Sequence, residues 1–168
     1  MIDLRSGKNF TAELLGATSV LAQFRSVGLT DFIHIGAQDG WLALEVWSSA
    51  RLAETRFHFK FIEATDDRIH YKVRCVGGTF DGAQVAASRN GYLGGYRVAE
   101  VDDCYWKIEV LADPDADDAY LYFHLRDQEG HRVAGEQVSV VDGAYNNMYL
   151  NTQRGTPLVF RLHNVHWQ

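Results

Sequence analysis

Two short stretches in the C-terminal third carry the side chains best suited to holding a ligand: Asp127-Gln128-Glu129-Gly130-His131 and Asp142-Gly143-Ala144-Tyr145-Asn146-Asn147. A sugar is held by an aromatic face against the apolar side of its ring and by Asp, Asn or Gln bonded to its hydroxyls. Asp127, Gln128, His131, Asp142, Tyr145, Asn146 and Asn147 supply that mixture and form the candidate ligand set. The same residues also suit turns, because Asp-Gly and Asn-Asn readily take the conformations of tight loops. Thinner versions of the mixture occur at Arg89, Asn90, Tyr92 and Tyr96, and at Asp39, Trp41 and Trp47. The two tryptophans fit equally a core position or the contact of a homodimer.

Other chemistries lack their residues. There is no Gly-x-Ser-x-Gly elbow and no cysteine in a papain-like neighbourhood, so no catalytic residue is expected. Histidines at 34, 58, 70, 124, 131, 163 and 166 show no His-Glu-x-x-His and no cysteine partners at zinc spacing, so no metal and no cofactor are expected. His58, His70 and His124 fall between apolar positions and should point outward. The acidic run Asp113 to Asp118 fails as a calcium loop, since Asp118 and His124 stand where Gly and Glu are required; it reads as a solvated hairpin. Gly91, Gly94 and Gly95 do not lead from a strand into a helix and read as turn residues. Cys75 and Cys104 read as two reduced core thiols.

The elements that position these residues follow a threefold pattern. Strand-like segments centre on Phe24, Tyr71 and Phe123, and aromatic-x-apolar pairs occur at Phe59-Lys60-Phe61, Trp106-Lys107-Ile108 and Phe160-Arg161-Leu162, with a basic residue inside each pair. Within each unit the two markers are 35, 35 and 37 residues apart. Between them lies an aromatic-Leu pair, at Trp41-Leu42, Tyr92-Leu93 and Tyr149-Leu150. Each unit therefore reads as four short strands; the second runs 69–75, 84–88, 91–97 and 105–110. Helical signals are confined to one turn at 9–15 and one at 48–55, the latter capped by Ser48. The chain is thus expected to be one all-β domain over 1–168, with units at about 19–66, 67–112 and 119–166 and an N-terminal extension at 1–18.

Four strands repeated three times, closed by aromatic-x-apolar strands, resemble the β-trefoil superfamily with its pseudo-threefold symmetry. The segment Asp103 to Glu109 followed by Tyr122-Phe123-His124-Leu125 is most similar to ricin-B-like and fungal-type cytoplasmic trefoil lectins, although the Gln-x-Trp signature is absent: the matching positions read Arg56-Phe57-His58, Cys104-Tyr105-Trp106 and Leu158-Val159-Phe160. The resemblance implies a non-catalytic lectin with glycans or glycoproteins as partners. It also implies that Asp127 binds sugar hydroxyls, Tyr145 stacks on the ring and Asn147 fixes its orientation. The alternative is a protease inhibitor or protein-interaction module presenting the loops 47–54 and 100–103.

Charge and hydropathy bound the partners. Sixteen basic against 22 acidic residues leave a net charge of −6, which predicts no basic face and argues against nucleic acid and heparin-like polyanions. An uncharged or basic partner is expected. No apolar stretch reaches the roughly 20 residues a membrane span needs, so no membrane insertion is expected. The N-terminus lacks the basic-then-apolar layout of a secretory signal, which places a complete chain in the cytoplasm; a trimmed, secreted form would read the same way.

Overall fold

The protein is described by a computed structural model covering residues 2–17, 32–45, 55–101, 103–111, 121–137 and 147–168. Its architecture is all-β. Thirteen strands occur among the described residues: β1 (Phe10–Ala17), β2 (Ile33–Ile35), β3 (Leu42–Glu45), β4 (Arg56–Ala64), β5 (Ile69–Val76), β6 (Gln84–Ala87), β7 (Leu93–Tyr96), β8 (Trp106–Val110), β9 (Tyr122–Arg126), β10 (Ala134–Gln137), β11 (Asn147–Asn151), β12 (Thr156–Pro157) and β13 (Val159–Trp167). Helix is limited to a 3-10 turn at Leu4–Ser6 and one helical turn, α1, at Val98–Val101. No helix among the described residues is long and apolar enough to cross a membrane.

Six antiparallel strands close into a barrel. The pairing order runs β4-β1-β13-β9-β8-β5, and β5 returns to β4. Alternation dictates which side chains go inside, because successive strand residues point to opposite faces. In β8 the buried residues are Trp106 and Ile108, with Lys107 and Glu109 between them facing out. Three aromatic register pairs fill the interior, Phe10↔Phe59, Tyr71↔Trp106 and Phe123↔Phe160, and all six side chains are at most 1% exposed. Burying each contributes about 1.5–3 kcal/mol. Phe10 stacks on Phe59 at 4.6 Å, and Tyr71 donates from its hydroxyl to the Leu4 carbonyl at 2.9 Å, tying the N-terminal turn to the core.

Three hairpins complete the molecule: β2–β3, β6–β7 and β10–β11. They meet through the β3–β11 ladder and through single bridges at Trp41↔Gly94 and Tyr92↔Asn151. The aromatic-Leu pairs are at these junctions. Trp41, Tyr92 and Tyr149 pack against one another with centroids 5.9 and 6.3 Å apart, so they join hairpins rather than presenting free faces.

Several expectations are corrected. Residues 9–15 are not a helical turn and 1–18 is not an extension: Phe10–Ala17 is a barrel strand, paired with β4 and β13. Its alternation is broken by a bulge between Thr11 and Glu13, which gives the segment its helix-like spacing of apolar residues. The register partner of Phe59 is therefore Phe10; Phe24 lies outside the described residues. So do Trp47, most of the Ser48-capped turn and the acidic run 113–118. Gly94 and Gly95 stand inside β7, not in a turn. A Cβ at Gly94 would come within 3.0 Å of the Gly40 carbonyl and the Trp41 ring, so only glycine allows this approach of two hairpins. Phe61 is only partly buried at the core's edge.

Candidate functional site

The turn after β9 is shaped by its own acid. Asp127 Oδ1 accepts from the His131 amide at 2.7 Å, and Oδ2 meets His131 Nδ1 at 2.9 Å, while Gly130 supplies the positive φ that reverses the chain. These contacts use half of the roughly four acceptor positions of the carboxylate and leave the others open. Glu129 projects from the same turn, and the ligand atoms of Asp127, Glu129 and His131 lie within 4.8 Å of one another. The Asp127–His131 bonds account for that grouping.

This turn forms one wall of an open cleft of about 590 Å³. The second wall is the segment around α1, with Glu100, Asp103 and Cys104; the floor and far side come from Ser88 of the second hairpin and from Thr152 and Gln153 after β11. Gln128 joins two walls by donating its side-chain amide to the Asp103 carbonyl at 2.9 Å. Four carboxylates line the cleft, at Glu100, Asp103, Asp127 and Glu129, and no lysine or arginine does so among the described residues.

Electrostatics follow from that lining. Burial pushes the Cys104 thiol up to about 11, with Glu129 and Asp127 adding to the rise. A thiolate is the nucleophilic form of cysteine, so this thiol is poorly suited to attack. Cys75, buried in β5, is pushed up to about 12 by burial and then by Asp81. Trp106 is the sole aromatic among the described lining residues; it is 1% exposed and donates its indole N–H to the Val85 carbonyl at 2.8 Å. It therefore offers no stacking face.

The expected ligand set is split. Asp127, Gln128 and His131 line the cleft together. Asp142, Tyr145 and Asn146 lie outside the described residues, as does the side chain of Asn147. The backbone of Asn147 opposes Glu45 of β3, at the end of β11 remote from Thr152. Asn147 stands four residue steps along β11 from Asn151, about 13 Å of chain, at the end of the strand away from the cleft-lining Thr152. Glu100, Asp103, Ser88, Thr152 and Gln153 line the cleft with the Asp127 turn. Nothing local marks them; only folding brings them to residue 127.

A second region contradicts the expectation of no basic face. On the outside of β4, β5, β8 and β9, the outward positions carry Arg56, Lys60, Lys72, Arg74, Lys107 and Arg126. Glu109 is held among three arginines, with Arg126 Nε at 2.7 Å from Oε2, Arg68 Nη2 at 3.1 Å from Oε1 and Arg132 Nε at 3.8 Å. Burial opposes its ionisation, yet the Arg126 hydrogen bond and the charges of Arg126, Arg68 and Arg132 hold its carboxyl below the ordinary range. His70 faces outward as expected but is covered, stacked on Tyr105 at 5.2 Å and bonded to Glu63 at 2.9 Å.

No protein-family model, curated protein or solved structure matches this chain.

Proposed function

We propose that this chain is a non-catalytic carbohydrate-binding protein of β-trefoil architecture, taking neutral or amine-bearing glycans in the cleft between Glu100, Asp103, Asp127 and Gln153. The fold reading is supported by the six-strand closed barrel with three hairpins and by one aromatic register pair for each of three units, Phe10↔Phe59, Tyr71↔Trp106 and Phe123↔Phe160. A ricin-B-like lectin is the nearest resemblance in the sequence.

The observation that carries the function is the lining of the cleft: carboxylates and amides converge on an open volume of about 590 Å³, and no lysine or arginine is among its described lining residues. Ionised acceptors make the stronger hydrogen bonds to hydroxyl donors, and they favour an ammonium group on the ligand. The raised Cys104 thiol supports a binding role over a nucleophilic one.

A glycan array that includes chitosan oligosaccharides tests the reading. Glu100→Ala and Gln153→Ala, both at exposed positions, should each weaken binding about tenfold, as loss of a charged or amide partner worth about 1.4 kcal/mol implies. Melting temperatures should hardly move. A blank array for the wild type overturns the carbohydrate reading and favours the protein-interaction module.

A further inference from the structure

Strand pairing normally sets opposite charges across from each other, because like charges directly opposite are destabilising. On this face basic residues instead stand opposite basic residues at several points. Lys60 is opposite Lys72, His58 opposite Arg74, His70 opposite Lys107, Lys107 opposite Arg126, and Arg126 bridges Arg132. The basic residue inside each aromatic-x-apolar pair, Lys60 in β4 and Lys107 in β8, belongs to this pattern. The carboxylates within the face, Glu63 and Glu109, are already bonded to His70 and to Arg126. Neighbouring strands lie about 4.8 Å apart and alternate residues about 6.6 Å apart, so the lysines and arginines among these residues are spread over a face about 14 Å wide. Lys60 is exposed, and the Arg132 side chain is 43% exposed.

Basic side chains gathered on four neighbouring strands of an acidic chain suit a polyanion. We propose that the outer face of β4, β5, β8 and β9 binds an acidic polysaccharide, one that repeats sulfate or carboxylate groups along its length. Charge complementarity selects a polyanion, and the lack of a free stacking platform among the described residues of the face disfavours a single-stranded nucleic acid relative to an acidic glycan. Binding of single-stranded nucleic acid relies on aromatic faces for its bases. The aromatic ring available here, Tyr105, is stacked on His70 and lies 5.9 Å beneath Lys107 Nζ. Duplex readout uses an element that enters a groove, and the lattice lies flat on strands. The inference does not rest on the cleft reading, since the two surfaces carry opposite charge and call for different ligands.

The full chain is titrated by calorimetry with dextran sulfate, polygalacturonate, neutral dextran and a short DNA duplex, at low and at moderate salt. Dextran sulfate or polygalacturonate should bind, the tighter of the two naming the acidic group, and affinity should fall at least about tenfold between about 50 and 300 mM salt. The double variant Lys60→Glu with Arg74→Glu should lose about tenfold or more at low salt, with a melting temperature that hardly moves, because both side chains occupy outward positions of β4 and β5. Lys8→Glu, on the exposed N-terminal segment, should bind as the wild type does, which excludes an effect of net charge. Binding of neither acidic polymer, or wild-type affinity in the double variant, overturns the proposal. Duplex DNA bound as tightly as the sulfated chain also overturns it, in favour of nucleic acid. Glycan-array binding by the cleft should survive the double variant, so failure of one surface is distinguishable from failure of the other.

Discussion

The acidic cleft and the basic barrel face lie side by side and are built by different means. Cleft acids sit in turns: Asp127 is fixed by its bonds to His131, and Asp103 is positioned by a carbonyl bond from Gln128. Cations of the face sit at alternate strand positions, where the ladder itself fixes their spacing. The two regions meet at Gln128, whose carbonyl accepts from Lys107 Nζ and whose amide donates to Asp103. A net charge of −6 hides this polarity, because a sum over the chain says nothing about how alternation segregates signs onto faces.

The largest expected effect comes from the residue beneath both regions. Trp106 borders the cleft, precedes Lys107 in β8 and pairs with Tyr71 on the neighbouring strand β5. Trp106→Ala should cost about 3–5 kcal/mol and remove the indole donor from the Val85 carbonyl, so both binding activities should disappear with the fold. Denaturant unfolding measures this. A loss below about 1 kcal/mol would mean that cleft and face do not share one core.

Glu109→Gln separates the two regions more gently. The carboxylate is mostly buried and accepts from Arg126 and Arg68, so its removal should cost about 1–2 kcal/mol after allowance for partial screening. It also adds a positive charge to the lattice. Affinity for dextran sulfate should rise about two- to fivefold, whereas glycan binding in the cleft should stay as it was. Weaker polyanion binding would identify Glu109 as the organiser of the arginines and not only their counter-charge.

What was legible in the sequence follows the range of the interactions. The spacings of Tyr71 to Trp106 and Phe123 to Phe160 correspond to true register pairs. In the first unit the same spacing selected Phe24, while the ladder pairs Phe59 with Phe10, 49 residues away. Residue counting could not detect this, because registry depends on backbone hydrogen bonds and the Glu13 bulge disguises β1 as a helix. Buried Glu13 is held there by His163 at 2.8 Å and Asn164 at 3.1 Å, partners about 150 residues distant. The Asp127 turn was legible because its bonds span four residues. The opposite wall of the cleft was not, since Glu100, Asp103 and Gln153 converge only in three dimensions. The basic face escaped because its residues were read singly and not across the strands that align them.

The smallest expected effect distinguishes the two regions by pH. His124 lies opposite Glu109 on β9, and its Nδ1 donates to the Leu158 carbonyl at 3.0 Å. Burial lowers its pKa first, and the charges of Arg132 and Arg126 lower it further, against the opposing pull of the Leu158 carbonyl and Glu109. In the unfolded chain the group returns to its ordinary value of about 6.5. Between the folded and unfolded values the unfolded state binds more protons, so this contribution is complete above about pH 6.5 and declines as pH falls below it. Wild type should therefore lose stability relative to His124→Gln between about pH 7.5 and 5.5, read as the difference between their denaturation midpoints. Because part of the depression is the potential of Arg126 and Arg132, dextran sulfate bound on the barrel face should raise the His124 midpoint in an NMR titration. A neutral glycan in the cleft adds no charge beside those arginines and should leave the midpoint where it was; equal shifts with both ligands would show that the two regions form a single electrostatic site.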